Sequence, residues 1–242
     1  MPHGGPDWGT SGPLGTVYTL EDMAELAARL KSIDTFDRRG NIIALEDFQG
    51  TLSQLRIGSD GDRGTIEQSS QYSRTPDFSL KLQAGGNASD RAWVQKYIAL
   101  PVLSKVGFEF SFSTTQLGLR IELSIELLTG TTAYYPDIRW SPDTKKISYK
   151  DKDGNWQEHA DTFDRESGEY RFSTLKLVVD FPNATYERLL WNNQSVDISS
   201  LELRHFAAVA VPDLYIFLFV QNTVSLNRRV YIDDIIITQN EP

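Results

Sequence analysis

Leu119-Arg120-Ile121-Glu122-Leu123-Ser124-Ile125-Glu126-Leu127 alternates apolar and polar side chains without a break. Successive side chains of an extended chain point to opposite faces, so the aliphatic residues share one face and Arg120, Glu122, Ser124 and Glu126 share the other. Such a strand has its apolar side in a core and its polar side outward. Val106-Gly107-Phe108-Glu109-Phe110-Ser111-Phe112-Ser113 repeats the pattern. Shorter runs follow at residues 80–83, 146–149, 175–179, 214–220 and 230–237. Gly85-Gly86-Asn87 is a turn signal, and Asp153-Gly154-Asn155 ahead of Trp156 is a hairpin signal. Many short strands with long loops and little helical periodicity predict an all-β chain folded as a two-sheet antiparallel β-sandwich.

Composition narrows the function classes. With 242 residues, 40% hydrophobic and 24% charged, the chain is an ordinary globular one and no collagen or coiled coil. A net charge of −9 repels phosphate backbones, and no basic run exceeds Arg38-Arg39 or Arg228-Arg229, so nucleic acid is not expected as a partner. Cysteine is absent, which removes disulfides, thiolate nucleophiles and thiolate metal sites. The three histidines, His3, His159 and His205, are too scattered for a short ligand motif. Met-Pro-His-Gly-Gly-Pro has neither a basic nor an apolar region, so no signal peptide is visible. The most apolar run, 206–220, is broken by Pro212-Asp213 and is too short to span a bilayer, so no membrane insertion is expected.

Three segments are expected along the chain. Residues 1–19 hold five Gly and three Pro and read as an extended arm. Residues 20–41 are a short helix and connector. Thr19 and Asp22 form a capping box, and Leu20, Met23, Leu26, Ala27 and Leu30 make an apolar stripe up to Lys31. Residues 42–242 are the sandwich. Ordering a Gly-rich arm costs roughly 1–2 kcal/mol per residue. Trp8, Leu14, Val17 and Tyr18 are therefore the candidate oligomerisation residues, docking on a second copy or another subunit.

The two ends of the β region carry a resemblance. Leu45-Glu46-Asp47-Phe48-Gln49-Gly50 opens it, Pro76-Asp77-Phe78-Ser79-Leu80-Lys81-Leu82 follows, and Val230-Tyr231-Ile232-Asp233-Asp234-Ile235-Ile236-Ile237 closes it. This order resembles the jelly-roll carbohydrate-binding modules. The middle, 148–156 and 175–180, is similar to concanavalin A-like and laminin-G-like lectin sandwiches. The resemblance implies a jelly roll and a structural Ca²⁺ ion, held by carboxylates on the adjacent first and last strands. Glu46, Asp47, Asp233 and Asp234, with Asp77 from the loop, are the residues placed to supply them. The alternative is that these acids bond neighbouring backbone.

Two kinds of site chemistry remain. Retaining laminarinases on a concanavalin-like sandwich carry Glu-x-Asp-x-Glu on a central strand, and Glu122-Leu123-Ser124-Ile125-Glu126 has that spacing with Ser124 in place of the Asp. The substitution argues against hydrolysis. Sugars stack on aromatic rings while polar groups bond their hydroxyls. Trp93, Tyr134, Tyr135, Trp140, Trp156 and Trp191 are the aromatics that could do this. Tyr134-Tyr135-Pro136 and Trp191-Asn192-Asn193 read as loops, and Tyr134, Tyr135, Trp140, Trp191, Asn192 and Asn193 are the candidate carbohydrate-binding residues.

Three functions follow. The leading one is a non-catalytic structural subunit of a larger assembly, a virion or a cell-surface appendage, held as a homo-oligomer or with other subunits through the arm. The second is a glycan-binding lectin-like module, and the third a glycoside hydrolase of the laminarinase type.

Overall fold

The alternating runs become strands in the computed structural model, which describes residues 39–242 apart from 62, 75–76, 100–101, 167 and 169–170. The expected arm and helix, and with them Trp8, Leu14, Val17 and Tyr18, lie outside the described residues. In chain order the strands are β1 (Asn41–Glu46), β2 (Arg56–Asp60), β3 (Thr65–Ser69), β4 (Ser79–Gln83), β5 (Arg91–Ile98) and β6 (Lys105–Ser113). Next come β7 (Leu119–Leu128), β8 (Thr132–Tyr135), β9 (Asp137–Ser141), β10 (Lys146–Lys150), β11 (Trp156–Glu158) and β12 (Ser173–Asp180). The last are β13 (Thr185–Trp191), β14 (Gln194–Asp197), β15 (Arg204–Ala207), β16 (Asp213–Asn222) and β17 (Arg229–Gln239). Among the described residues the only helical element is the 3-10 turn Leu52–Gln54.

The strands form two antiparallel sheets of a jelly-roll β-sandwich. One runs β14-β13-β12-β6-β17-β4-β3, with β1 also on β17; the other runs β11-β10-β9-β7-β16-β5-β2, with β8 and β15 beyond β7. The chain alternates between sheets at β4, β5, β6 and β7, and again from β16 to β17. β17 pairs with β4 through Arg229–Ile232 and with β1 from Ile235 onward. Its register against β6 shifts between Asp233 and Ile236, where Asp234 takes φ 50°. This bulge bends the strand as its neighbour changes.

The core lies between the layers. Phe108, Phe110 and Phe112 of β6 face Ile121, Leu123, Ile125 and Leu127 of β7, as their alternation requires. Trp140 and Trp191 meet there with centroids 5.2 Å apart, and each lies within 5.5 Å of Phe112. Their indole N–H groups donate to the carbonyls of Phe163 and Asp164, at 3.0 and 2.7 Å, which pins the loop ahead of β12. Both indoles are thus buried with their polar handles satisfied, which lets their large apolar area stabilise the core. Tyr186 of β13 spans the layers, its hydroxyl 2.9 Å from the Lys150 carbonyl and 3.2 Å from that of Asp137. That contact fixes the ends of β9 and β10. The buried Glu241 carboxylate pairs with Lys176 at 2.7 Å and with Arg188, tying residues 240–242 to β12 and β13.

Two expectations about local structure change. Tyr134 and Tyr135 lie in strand β8 and not in a loop. Trp191 ends β13, and Asn192-Asn193 form the two-residue turn to β14, with Asn192 at φ 51°.

Candidate functional site

The outward face of the nine-stranded sheet is built by register. Between the buried Ile121, Leu123, Ile125 and Leu127, β7 turns Arg120, Glu122, Ser124 and Glu126 away from the core. Cross-strand pairing then fixes what lies beside each. Arg120 neighbours Gln221, which neighbours Arg91; Glu122 lies between Phe219 and Arg139, with Trp93 and Gly58 beyond Phe219. Ser124 lies between Phe217 and Asp137, and Gln95 lies beyond Phe217. Glu126 neighbours Tyr215, and Tyr215 neighbours Tyr97. The result is an aromatic side over β5 and β16 and a charged side over β7, β9 and β10.

On the aromatic side Trp93 meets Phe217 edge-on at 6.1 Å, and Tyr97 meets Tyr215 at 4.5 Å. Gly58 is required opposite Trp93, because a β-carbon there would collide with the indole. Arg56 donates to the Tyr97 hydroxyl at 2.9 Å. At the far edge Tyr135 stacks on Phe206, itself 45% exposed, with ring centroids 5.2 Å apart. Arg204 lies 5.4 Å from the Tyr135 ring. Trp156 lies under Arg139 at 4.1 Å and Lys150 at 5.2 Å.

The charged side has one buried carboxylate, Asp137, 2% exposed. It accepts the Ser124 hydroxyl at 2.5 Å and pairs with Lys150 at 2.5 Å. Glu122 is pushed up to about 7, first by burial and then by Asp137, against the opposing pull of Lys150, Arg139 and Arg91. The Tyr135 hydroxyl donates to Glu126 at 2.9 Å, and burial followed by that carboxylate raises its pKa. Burial and the neighbouring Arg120 lower the pKa of Arg139.

The expected carbohydrate residues divide between faces. Tyr135 is on the outward face. Tyr134, adjacent on the same strand, must point the other way, and it packs on Phe181 at 5.6 Å against the core. Trp140 and Trp191, 2% and 3% exposed, are core residues that no sugar reaches. Asn192 accepts the Thr174 N–H at 2.8 Å, a turn contact in the other sheet, and Asn193 is exposed at the tip of that turn. Trp93, Tyr97, Tyr215 and Phe217 take the places these residues leave. Alternation in Arg91-Ala92-Trp93-Val94-Gln95 was the signal for Trp93.

The expected calcium residues also divide. Asp233 accepts the backbone N–H of Arg74 at 2.8 Å and that of Asp234 at 2.9 Å. Asp234 pairs with the Arg74 guanidinium at 2.8 Å. Burial pushes it up to about 7, with Asp233 and then Asp47 adding to the rise and Arg74 opposing it. Asp47 accepts the Gln49 N–H at 3.1 Å, Glu46 pairs with Lys96 at 3.4 Å, and Asp77 is exposed ahead of β4. Among the described residues no three acidic or imidazole groups converge as a metal set. The Arg74 guanidinium is the cation beside Asp234.

No family model matches the chain, and no curated protein sequence matches it. Solved structures do. A cellulose-induced protein, Cip1, aligns with a TM-score of 0.54 at 12% identity, over 80% of this chain and 96% of that one. An endo-β-1,4-glucuronan lyase from the fungus Trichoderma reesei aligns with a TM-score of 0.53 at 10% identity, over 83% and 96%. The binding domain of botulinum neurotoxin DC, in complex with SialylT, aligns with a TM-score of 0.50 at 11% identity, over 84% and 48%. At these identities the likeness is one of fold. The chain shares with these proteins the jelly-roll β-sandwich fold that its alternating strands imply.

Proposed function

We propose that this protein is a non-catalytic glycan-binding module whose sugar chain lies across the outward face of the nine-stranded sheet. The observation that carries this reading is the pairing of rings with polar groups on one face. Phe217 and Tyr215 offer stacking surfaces one strand away from Glu122, Ser124 and Glu126, and Trp93 and Tyr97 offer them two strands away. Sugars need that combination, since their C–H faces are apolar and their edges are hydroxylated. The same fold in a neurotoxin binding domain in complex with SialylT and in a glucuronan lyase supports the choice. Ser124, where laminarinases carry an Asp, supports binding without turnover, so no reducing ends should be released from β-glucan.

Affinity electrophoresis through gels containing β-glucan, xylan, galactan or polygalacturonate tests the proposal. At least one polymer should retard the protein, and Trp93→Ala should weaken that retardation at least tenfold, about 1.4 kcal/mol. No retardation by any polymer, or retardation unchanged in Trp93→Ala, contradicts it.

A further inference from the structure

Three guanidinium groups on the same face have no carboxylate partner. Arg91, Arg120 and Arg139 form no ion pair among the described residues, whereas Lys81, Lys96, Lys105, Lys145, Lys150 and Lys152 all do. In a chain of net charge −9, three guanidinium groups close together on one face make a local patch of positive charge. Register places them together: Arg91 and Arg120 flank Gln221 in one row, and Arg139 sits across from Glu122 in the next. Two strand spacings separate Arg91 from Arg120, roughly 10 Å. Arg139 lies over the Trp156 ring at 4.1 Å and Arg91 over the Phe219 ring at 4.9 Å. Stacking occupies a guanidinium's flat face and leaves its N–H edge for an acceptor. Of the nearby acids, Asp137 takes Ser124 and Lys150 and Glu126 takes Tyr135, while Asp60 beside Arg91 and Glu158 in the row of Arg139 form no ion pair with them.

We propose that the glycan bound on this face is anionic, its carboxylate or sulfate groups seated on Arg91, Arg120 and Arg139 while its rings lie along Trp93 and Phe217. The inference rests on the glycan-binding reading and adds the ligand's charge. Planar guanidinium forks suit both carboxylates and sulfates, and clustered cations hold a polyanion more firmly than a neutral chain. Glu122 is the β7 acid beside this group, and its pKa, pushed up to about 7 by burial and then Asp137, leaves only part of its population charged at neutral pH to repel an anion.

The test is isothermal titration of the full chain with four probes: polygalacturonate, its carboxyl-reduced form, chondroitin sulfate and neutral β-glucan. At least one polyanion should bind at least tenfold more tightly than both neutral polymers. The double variant Arg120→Gln/Arg139→Gln should lose that margin, and Arg91→Gln alone should reduce it, each with a melting curve to show the fold intact. Polygalacturonate binding that disappears on carboxyl reduction identifies carboxylates, and preference for chondroitin sulfate identifies sulfates. Polyanions bound no better than neutral polymers, or a margin that survives in folded arginine variants, overturns the inference. If neutral polymers still bind and need Trp93, the glycan-binding reading stands without it. If no polymer binds, both fail.

Discussion

Ser124 of β7 donates its hydroxyl to Asp137 of β9 at 2.5 Å. The position between Glu122 and Glu126 therefore gains a carboxylate from the neighbouring strand, although its own side chain has none. Lys150 closes the group from β10. Ser124→Ala removes one hydrogen bond and leaves the ion pair, so the expected loss of stability is about 1 kcal/mol. Lys150→Met strands a buried carboxylate and should cost about 3 kcal/mol. Urea denaturation of both variants checks this order, and equal losses would show that Ser124 matters as much as the charge.

Glu122 gives the protein a pH-dependent weakness. Its folded pKa of about 7 lies above the ordinary 4.5. Between those values the folded protein holds a proton that the unfolded chain has released, so stability falls as pH rises through that window. Above pH 7 the full cost applies, on the order of 2–3 kcal/mol. Asp137 adds to it, while Lys150, Arg139 and Arg91 oppose it. Glu122→Gln should thus be more stable than the wild type at pH 8 and equal to it at pH 4. Melting curves at the two pH values check this, and a variant less stable at pH 8 would contradict it.

The Arg74–Asp234 pair bears on calcium. Because the guanidinium already neutralises Asp234 at 2.8 Å, excess chelator should leave the melting temperature unchanged. Arg74→Gln should lower it by roughly 6–12 °C, since it leaves Asp233 and Asp234 buried together without their cation. A drop of several degrees in chelator alone would show that an ion takes the guanidinium's place.

Gly58 positions Trp93. Gly58→Val would push the indole off its strand, which should weaken glycan retardation about as much as Trp93→Ala while leaving circular dichroism unchanged. Unaltered retardation would mean that the ring's position is immaterial.

The central strands were legible because β6, β7, β16 and β17 pair long apolar runs with regular alternation. The face was legible only in part. Glu122, Ser124 and Glu126 stand out as polar residues among aliphatics and Trp93 as a candidate aromatic, but Tyr97, Tyr215 and Phe217 are outward residues that count as apolar, so they hide in a hydropathy pattern. Trp140 was misplaced for the converse reason. In Asp137-Ile138-Arg139-Trp140-Ser141 alternation puts Trp140 beside Ile138 on the inner face, yet five residues after a proline are too short a run to announce a strand. Tyr134 and Tyr135 could not both face outward once they lay in one strand. Asp137's bond to Ser124 spans a hairpin, and only pairing in three dimensions reveals it.

The five indole N–H resonances test the central claim most directly, because the tryptophans sample both environments. Trp93 and Trp156 lie on the outward face, whereas Trp140 and Trp191 are buried with their N–H groups bound to backbone carbonyls. Titration with the retarding oligosaccharide, followed by nitrogen–proton correlation spectra, should shift the Trp93 and Trp156 signals and leave Trp140 and Trp191 in place. Binding that moves neither Trp93 nor Trp156 would contradict the account and put the sugar elsewhere.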